Sequence, residues 1–263
     1  MKNTLSITLF VFFSAAVSAQ YPAFRETVKL NWELEYSLQG RSRTKTAKAR
    51  VPGAVQLDIA AAEGYGDYYF GENWKDYLWM EEQFFSYKTT FAKPEVDSTE
   101  RLVFVSKGID YAFEILLNGE KLLHQEGMFT PVELDLTDKV RQNNELRIRI
   151  LPAPKMQKEP TDHTQAAQSV KPAMSYGWDM HPRLIPSGIW DETYLAIKPL
   201  SHINDAQMRY RLSENLRNVK IDVTVAGANL QGNNVIWKLR DQNDKIIIAR
   251  VINPDSDEIL IGA

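Results

Sequence analysis

The stretch "YAFEILLNGEKLL", residues 111–123, determines the fold class that we predict for this chain. Every second residue from Tyr111 to Leu117 is large and apolar. This period of two is typical of a strand with one buried face and one wet face. The pair Asn118-Gly119 follows, and these residues supply the positive φ angles that a two-residue hairpin turn requires. The stretch therefore predicts two antiparallel strands joined by a tight turn.

The same alternation recurs further along the chain. "PVELDL" (131–136) and "ELRIRI" (145–150) place apolar residues on one face and charged residues on the other, and "YLAI" (194–197) closes the series. One helix is predicted over "AVQLDIAAAEG" (54–64), which begins after a Pro-Gly pair and ends at a glycine. The pattern predicts an antiparallel all-β domain.

A second β unit begins near residue 200. "NVKIDVTV" (218–225) alternates cleanly, and "VIWKL" (235–239) and "KIIIARV" (245–251) follow it. An immunoglobulin-like sandwich uses about 100 residues and about seven strands. Only the 64 residues 200–263 remain here. We therefore expect them to form an incomplete, truncated immunoglobulin-like sandwich.

The N-terminus, "MKNTLSITLFVFFSAAVSAQ" (1–20), has the features of a secretory signal peptide. Lys2 precedes an apolar stretch over 5–17, and small residues precede Gln20. The apolar stretch is shorter than the about 20 residues that a membrane-spanning helix needs. We expect residues 1–19 to be removed near Ala19-Gln20, a secreted or periplasmic protein, and no membrane span. The chain contains no Cys, so its stability must come from its hydrophobic core.

The charge balance does not favour a nucleic-acid partner, because the net charge is only −3. One basic run, "RSRTKTAKAR" (41–50), lacks the interleaved aromatic residues of single-stranded nucleic-acid platforms. We interpret this run as a solvated hairpin that connects two edge strands.

No catalytic set is found in the sequence. There is no Cys nucleophile and no G-x-S-x-G elbow, and the four His residues lack zinc-ligand spacing. We expect no catalytic residue, no metal and no cofactor in this chain. "NNE" (143–145) superficially matches the Asn-Glu of many barrel glycosidases, but it precedes a predicted strand. We interpret its asparagines as turn residues and Glu145 as the start of the wet face.

The stretch 64–91 combines aromatic rings with carboxylates, as carbohydrate sites do. Four rings lead into a strand and are predicted to fill the core: Phe84, Phe85, Tyr87 and Phe91. Three rings lie before that strand, and for them core packing and sugar contact both remain open: Trp74, Tyr77 and Trp79.

Seven segments, taken in order, carry a family resemblance: "LNWEL" (30–34), "VPGAVQLDI" (51–59), "ENWKDYLWMEEQFFSYKTTF" (72–91), "GIDYAFEILLNGE" (108–120), "GMFTPVELDLT" (127–137), "NELRIRI" (144–150) and "YGWDMHPRLIPSGIWDETYLAI" (176–197). Together they resemble the N-terminal part of family 2 glycoside hydrolases, in the β-mannosidase branch. The order and spacing hold across nearly all of 28–198, and the last segment is the most specific.

The resemblance implies a domain order. A galactose-binding-like jelly-roll β-sandwich would cover 20–199, followed by an immunoglobulin-like domain whose beginning would cover 200–263. In that family a (β/α)₈ barrel follows and carries both catalytic glutamates. The parent enzyme would hydrolyse terminal β-mannosides with retention. The barrel is missing from this chain, so we expect the chain alone to be inactive.

The resemblance also assigns roles within the last segment. The family loop, typically Gly-Trp-Asp-Trp, projects toward the active site and shapes the terminal-sugar site. Carried over, Trp178 and Asp179 would approach the carbohydrate substrate. Met180 replaces the second Trp and offers an apolar, adaptable surface without a flat ring. Arg183 would pair with a carboxylate at the domain junction or hold Asp179 in place, and Trp79 is a further supporting candidate.

Two other functions stay open at this stage. A free-standing carbohydrate-binding module would bind sugar directly through Trp178. A structural or docking domain would have no ligand, with Trp178 and Trp190 serving as packing anchors and Asp179 capping a turn. For Trp190, which begins a strand after Gly188, packing is the favoured role.

Overall fold

A computed structural model describes residues 26–38, 43–155, 163–254 and 258–262. The predicted signal peptide, residues 1–19, lies outside the described residues. The chain divides into two compact units, Arg25–Lys198 and the residues from Pro199 onward. In the described ranges, no helix is long and apolar enough to cross a membrane.

The strands are numbered in chain order. Those that begin in the first unit are β1 (Glu26–Lys29), β2 (Trp32–Ser37), β3 (Thr44–Ala49), β4 (Phe85–Ala92), β5 (Glu100–Ser106), β6 (Ile109–Asp110), β7 (Ala112–Leu117), β8 (Glu120–Glu126), β9 (Val132–Asp135), β10 (Asn143–Leu151), β11 (Gly188–Ile189) and β12 (Thr193–Pro199). Those of the second unit are β13 (His202–Leu212), β14 (Val219–Ala228), β15 (Val235–Arg240), β16 (Ile246–Ile252) and β17 (Glu258–Gly262). The helix α1 covers Val55–Glu63, and three 3-10 helices cover Asn73–Glu82, His163–Gln168 and Ala173–Tyr176.

The first unit is a β-sandwich, which confirms the predicted all-β fold. One sheet has the strand order β3-β2-β4-β10-β7-β8, and the other has the order β1-β12-β5-β9. Phe113 and Ile148 of the larger sheet and Phe104 and Leu195 of the smaller sheet are fully buried in one hydrophobic core. β2, β4 and β10 bury alternate residues because successive side chains point to opposite faces. β5, β7 and β12 instead bury residues on both faces, so the wet face predicted for β7 and β12 is largely covered.

The β7–β8 hairpin has the predicted turn. Asn118 and Gly119 adopt φ angles of 52° and 86°, as a two-residue turn between right-twisted strands requires. Phe113 is fully buried, whereas the neighbouring Glu114 faces outward and pairs with Lys121 at 3.2 Å. The predicted helix is also found, and Gly64 ends it with a φ of 76°.

The interpretation of "NNE" is confirmed only for Glu145, which lies on the wet face of a strand. The asparagines are not turn residues, because Asn143 and Asn144 already belong to β10 and pair with β4. Asn144 is buried, and its Oδ1 accepts hydrogen bonds from the Arg141 N–H at 2.8 Å and from Asn118 Nδ2 at 3.0 Å. Glu145 lies on the wet face and accepts from Arg147 Nε at 2.7 Å. The Asn144 side chain thus links the Asn118-Gly119 turn to Arg141, just before β10. Glu145 takes part in an ion pair at the surface.

Two further predictions about the first unit are wrong. Most of the basic run 41–50 is not a hairpin but the edge strand β3, which pairs antiparallel with β2. Phe84 is 69% exposed, although its neighbour Phe85 is buried. The reason is the strand period: Phe85 begins β4 with an inward side chain, so the preceding residue lies outside the core. Phe91 and Tyr87 pack on the core as predicted.

The second unit, described by itself, is also all-β. A sheet of order β13-β14-β17 and the β15-β16 hairpin are described. Ile221, Val223 and Val225 of β14 are buried, and Trp237 and Leu239 of β15 pack against them. The two sheets therefore share an apolar interior, as the sheets of a β-sandwich do.

A pH dependence arises from Asp58 in α1. This carboxylate is buried and accepts the Arg50 N–H at 3.1 Å, yet burial raises its pKa to about 6 from the ordinary 3.8. Because the pKa is raised in the folded chain, folding favours the protonated form. The resulting stabilisation is complete below pH 3.8 and is lost as the pH rises through about 6.

We expect Asp58→Asn to remove this dependence while keeping one acceptor for Arg50. The free energy of unfolding of the variant, relative to the unsubstituted chain, should rise by about 2.4 kcal/mol between pH 4 and pH 7. Urea unfolding followed by Trp fluorescence at both pH values measures this difference. Parallel pH profiles of the two proteins would contradict the assignment.

Candidate functional site

The 171–190 loop contains the predicted contact residues, and its tip is a tight reversal of four residues, Trp178–His181. The Trp178 N–H donates to the His181 carbonyl at 2.8 Å, and the His181 N–H donates back at 3.1 Å. Gly177, with a φ of 98°, turns the chain from the 3-10 helix Ala173–Tyr176 into this tip. The two backbone bonds fix the central pair, Asp179 and Met180, at the outermost positions.

Three of the four tip side chains are exposed, and His181 is half-buried. Trp178 is 58% exposed and Met180 is 85% exposed, and Asp179 is exposed between them. Within the described residues, the Asp179 carboxylate takes part in no hydrogen bond or ion pair. The structure thus brings the three predicted contact residues together on one surface, with a carboxylate that can accept hydrogen bonds from hydroxyl groups.

Arg183 anchors the base of the loop. Its Nε donates to Glu81 Oε2 at 3.2 Å and its Nη2 donates to Glu81 Oε1 at 2.8 Å, which is a two-point pairing. The same Nη2 donates to Gln165 Oε1 at 2.5 Å, and the guanidinium lies 5.6 Å from the Tyr176 ring. The described hydrogen bonds of Arg183 therefore go to Glu81 and Gln165 within the first unit, and not to Asp179.

A buried ion pair fixes the start and the end of the loop together. Lys171 Nζ donates to Asp110 of β6 and, at 2.9 Å, to the Pro186 carbonyl. The side chains of Lys171 and Asp110 are only 1% and 3% exposed. Burial lowers the pKa of Lys171 and raises that of Asp110, while their mutual attraction opposes both shifts.

The beginning of α1 fixes the loop's last residues. The Gly53 N–H donates to the Ile189 carbonyl at 2.8 Å, and the Val55 N–H donates to the Ser187 carbonyl at 2.9 Å. Gln56 Nε2 also donates, to the Ile185 carbonyl at 2.9 Å. The Val55 N–H lies at the helix start and has no intrahelical partner, so its bond to the Ser187 carbonyl satisfies it.

Trp190 packs against its neighbours, as favoured, but its side chain is 37% exposed and it follows β11 rather than beginning a strand. Its Nε1 donates to the Met128 carbonyl at 2.9 Å, and its ring meets Phe129 edge-on at 5.8 Å. The ring lies so close to Gly108 that a side chain there would collide with it.

Trp79 is half-buried against the hydrophobic core and also lines a groove beside the loop base. The groove has a volume of about 990 Å³. Its lining includes Tyr65, Lys75, Asp76, Trp79, Glu81 and Arg183. Tyr77 is buried and donates to the Gly66 carbonyl at 2.8 Å, so it serves packing rather than ligand contact.

Sequence reasoning missed the anchoring residues Lys171, Asp110, Glu81 and Gln56. One signal was present for Asp110, because a lone carboxylate within the apolar stretch "GIDYAF" requires a buried partner. The partner itself lies 61 residues away, and nothing in the spacing points to it.

The tip presents groups whose chemistry suits contact with a sugar, but it lacks the pair of carboxyl groups that hydrolysis requires. A carboxylate accepts hydroxyl hydrogen bonds, and an indole ring covers the apolar face of a sugar. Glycoside hydrolysis requires two carboxyl groups, about 5 Å apart for retention. Asp179 is the single carboxylate among Trp178–His181.

Comparisons with known proteins support this description. Residues 32–191 match the family model for the glycosyl hydrolase 2 galactose-binding domain-like region. The chain is 29% identical over 161 residues to β-mannosidase B of Aspergillus clavatus, covering 56% of this chain and 19% of that protein. It is 27% identical over 202 residues to β-mannosidase B of Emericella nidulans, covering 72% of this chain and 24% of that protein.

Solved structures show the same fold. The β-D-mannosidase from Dictyoglomus thermophilum superposes with a TM-score of 0.74 at 24% identity, covering 90% of this chain and 30% of that chain. The β-glucuronidase from Parabacteroides merdae superposes with a TM-score of 0.63 at 15% identity, covering 92% of this chain and 31% of that chain. The chain thus spans less than a third of each of these proteins. The family model covers more than half of this chain, and the chain therefore belongs to the glycosyl hydrolase 2 galactose-binding domain-like family.

Proposed function

We propose that this chain is the substrate-contacting, non-catalytic N-terminal portion of an exported glycoside hydrolase that acts on β-mannosides. The observation that carries the proposal is the exposed tip Trp178–His181, which presents an unpartnered Asp179 carboxylate from an anchored base. The similarity to fungal β-mannosidases supports the substrate class. The predicted signal peptide supports export, with cleavage near Ala19-Gln20.

In this proposal the tip recognises the terminal sugar. Asp179 accepts hydrogen bonds from sugar hydroxyls, and Trp178 covers the apolar face of the ring. Hydrogen bonds to a charged group contribute about 1.5–3 kcal/mol each, and they accelerate the reaction where they strengthen in the transition state. The acid/base and nucleophile carboxyls come from a catalytic barrel outside this chain.

The first test is to sequence the source DNA beyond the codon for Ala263 and to express the protein that the frame encodes. If it contains the barrel, Asp179→Ala should lower kcat/KM for an aryl β-mannoside by roughly 10- to 100-fold, as expected for loss of a charge-assisted hydrogen bond. Asp138→Ala is the matched control, because Asp138 is also exposed and lies outside the loop. The control should leave kcat/KM unchanged.

The purified 263-residue chain should not turn over the same substrate. Hydrolysis by this chain, or an Asp179→Ala enzyme as active as the control, would contradict the proposal. A stop codon after Ala263 in a gene whose secreted product has the matching mass would also contradict it.

A further inference from the structure

A second feature of the first unit has the chemistry of a saccharide site. The Trp79 groove, as we name the 990 Å³ groove lined by Tyr65, Asp76 and Trp79, lies along the 3-10 helix Asn73–Glu82. The tip residues Trp178–His181 are not part of its lining. Its volume is at the upper end of the range for small-molecule sites, about 300–1,000 Å³, so it can hold more than one sugar ring.

Aromatic rings extend from the groove wall to the solvent. Tyr65 meets Tyr77 edge-on at 5.7 Å, Tyr77 meets Tyr68 at 6.2 Å, and Tyr68 meets Tyr69 at 5.4 Å. Tyr69, at the end of this series, is 74% exposed, and so is Phe70. Neighbouring large aromatic side chains at the surface are typical of interaction sites, and flat rings suit the apolar faces of sugars.

Some charged side chains of the groove already have an ion-pair partner, and one has none in the described part of the chain. Glu81 is held by Arg183 and by Lys155 at 3.1 Å, and Lys75 is held by Glu72 at 2.5 Å. The Asp76 carboxylate, in contrast, is exposed and makes no hydrogen bond or ion pair within the described residues. Asp76 is therefore available to accept hydrogen bonds from hydroxyl groups near the Trp79 ring.

The charge of the lining selects between saccharide classes. Three acidic residues, Asp76, Glu81 and Glu82, face the groove together with two basic residues, Lys75 and Arg183. Both basic residues are already paired with carboxylates. A uronic-acid polymer would meet an unpaired negative charge there, whereas a neutral saccharide would meet hydroxyl acceptors and aromatic rings.

We propose that the Trp79 groove binds a neutral saccharide chain of at least two units, separately from the tip Trp178–His181. This inference goes beyond the proposed function, because it requires no catalytic barrel and concerns a different surface. In a hydrolase, such a groove would retain a polymeric substrate on the protein. The groove and the tip can be tested independently.

The test is binding of mannohexaose to the purified chain by calorimetry, with polygalacturonate oligosaccharides of the same length as the charged probe. Asp76→Asn and Trp79→Ala should each weaken binding by roughly tenfold or more, as expected for one hydrogen bond or one ring contact. Asp138→Asn is the matched control, because Asp138 is exposed and belongs to neither the groove lining nor the tip, and it should leave the affinity unchanged. Asp76 is at the surface, so Asp76→Asn tests the groove even if Trp79→Ala fails to fold.

The inference would be overturned by no binding of mannohexaose by the unsubstituted chain, by equal binding of the charged probe, or by unchanged affinity in Asp76→Asn. Loss of binding in Trp178→Ala alone would place the sugar at the tip and would overturn only the groove proposal. Failure of the Asp179→Ala test in the barrel-containing enzyme would leave the groove unaffected. The two proposals therefore fail by different measurements.

Discussion

Lys171→Met is expected to lower the free energy of unfolding of the first unit by about 3–5 kcal/mol, because it leaves the Asp110 carboxylate buried without its counter-charge. The substitution also removes the donor that holds the Pro186 carbonyl. Methionine has a similar length to lysine, so the loss of charge rather than of volume dominates. Urea unfolding at pH 7, followed by Trp fluorescence and far-UV circular dichroism, measures the loss.

The matched control is an exposed pair. Lys107 and Glu192 lie 2.6 Å apart, but their side chains are 50% and 59% exposed, so Lys107→Met should cost less than about 1 kcal/mol. The double variant Lys171→Met with Asp110→Asn should be more stable than the sum of the two single losses predicts, since no buried charge remains. If Lys171→Met costs no more than Lys107→Met, the pair does not anchor the loop.

Gly188→Ala should destabilise the first unit by about 2–5 kcal/mol. Gly188 adopts a φ of 143°, which L side chains rarely adopt. A Cβ there would lie 2.8 Å from the Tyr87 hydroxyl and 3.1 Å from the Ala54 Cα and from the Gly53 carbonyl oxygen. Overpacking costs about 1–3 kcal/mol, and the unfavourable φ adds about 1–2 kcal/mol. Thermal and urea unfolding quantify the loss.

Gly64→Ala separates these two causes. Gly64 also has a positive φ, 76°, but a Cβ at that position would meet no atom within 4 Å. Its substitution should therefore cost about 1 kcal/mol, from the backbone conformation alone. Equal losses for Gly188→Ala and Gly64→Ala would mean that the chain around Gly188 relaxes, and that the close approach of α1 to the loop end is not required.

The secondary-structure elements that could be predicted are those determined by residues close together in the sequence. The strands β7 and β10 follow from the period of two, and the ends of α1 follow from Pro52-Gly53 and Gly64, so each can be predicted within a short window. The basic run failed as a prediction because charged residues suit an edge strand as well as a hairpin. Only the pairing of β3 with β2 distinguishes the two.

The site was predictable only in part, for a physical reason. Trp178, Asp179 and Met180 are adjacent in sequence, so any loop that exposes one of them can expose all three. Their anchors are not local: Arg183 pairs with Glu81 across 102 residues, and Lys171 with Asp110 across 61. Such partners are determined by the packing of the sheets, which no spacing rule in a single sequence reveals.

The anchoring of the 171–190 loop has a consequence for how this protein can change over evolutionary time. The bonds that hold the loop involve Lys171, Arg183 and residues 185–189, and none of those described uses the side chain of Asp179 or Met180. Mutations at these two outer positions should therefore change the free energy of unfolding little, whereas mutations at the anchors should lower it substantially. Substitutions at the two outer positions can therefore accumulate while the anchored scaffold stays the same, and under the proposed function they would change what the loop contacts.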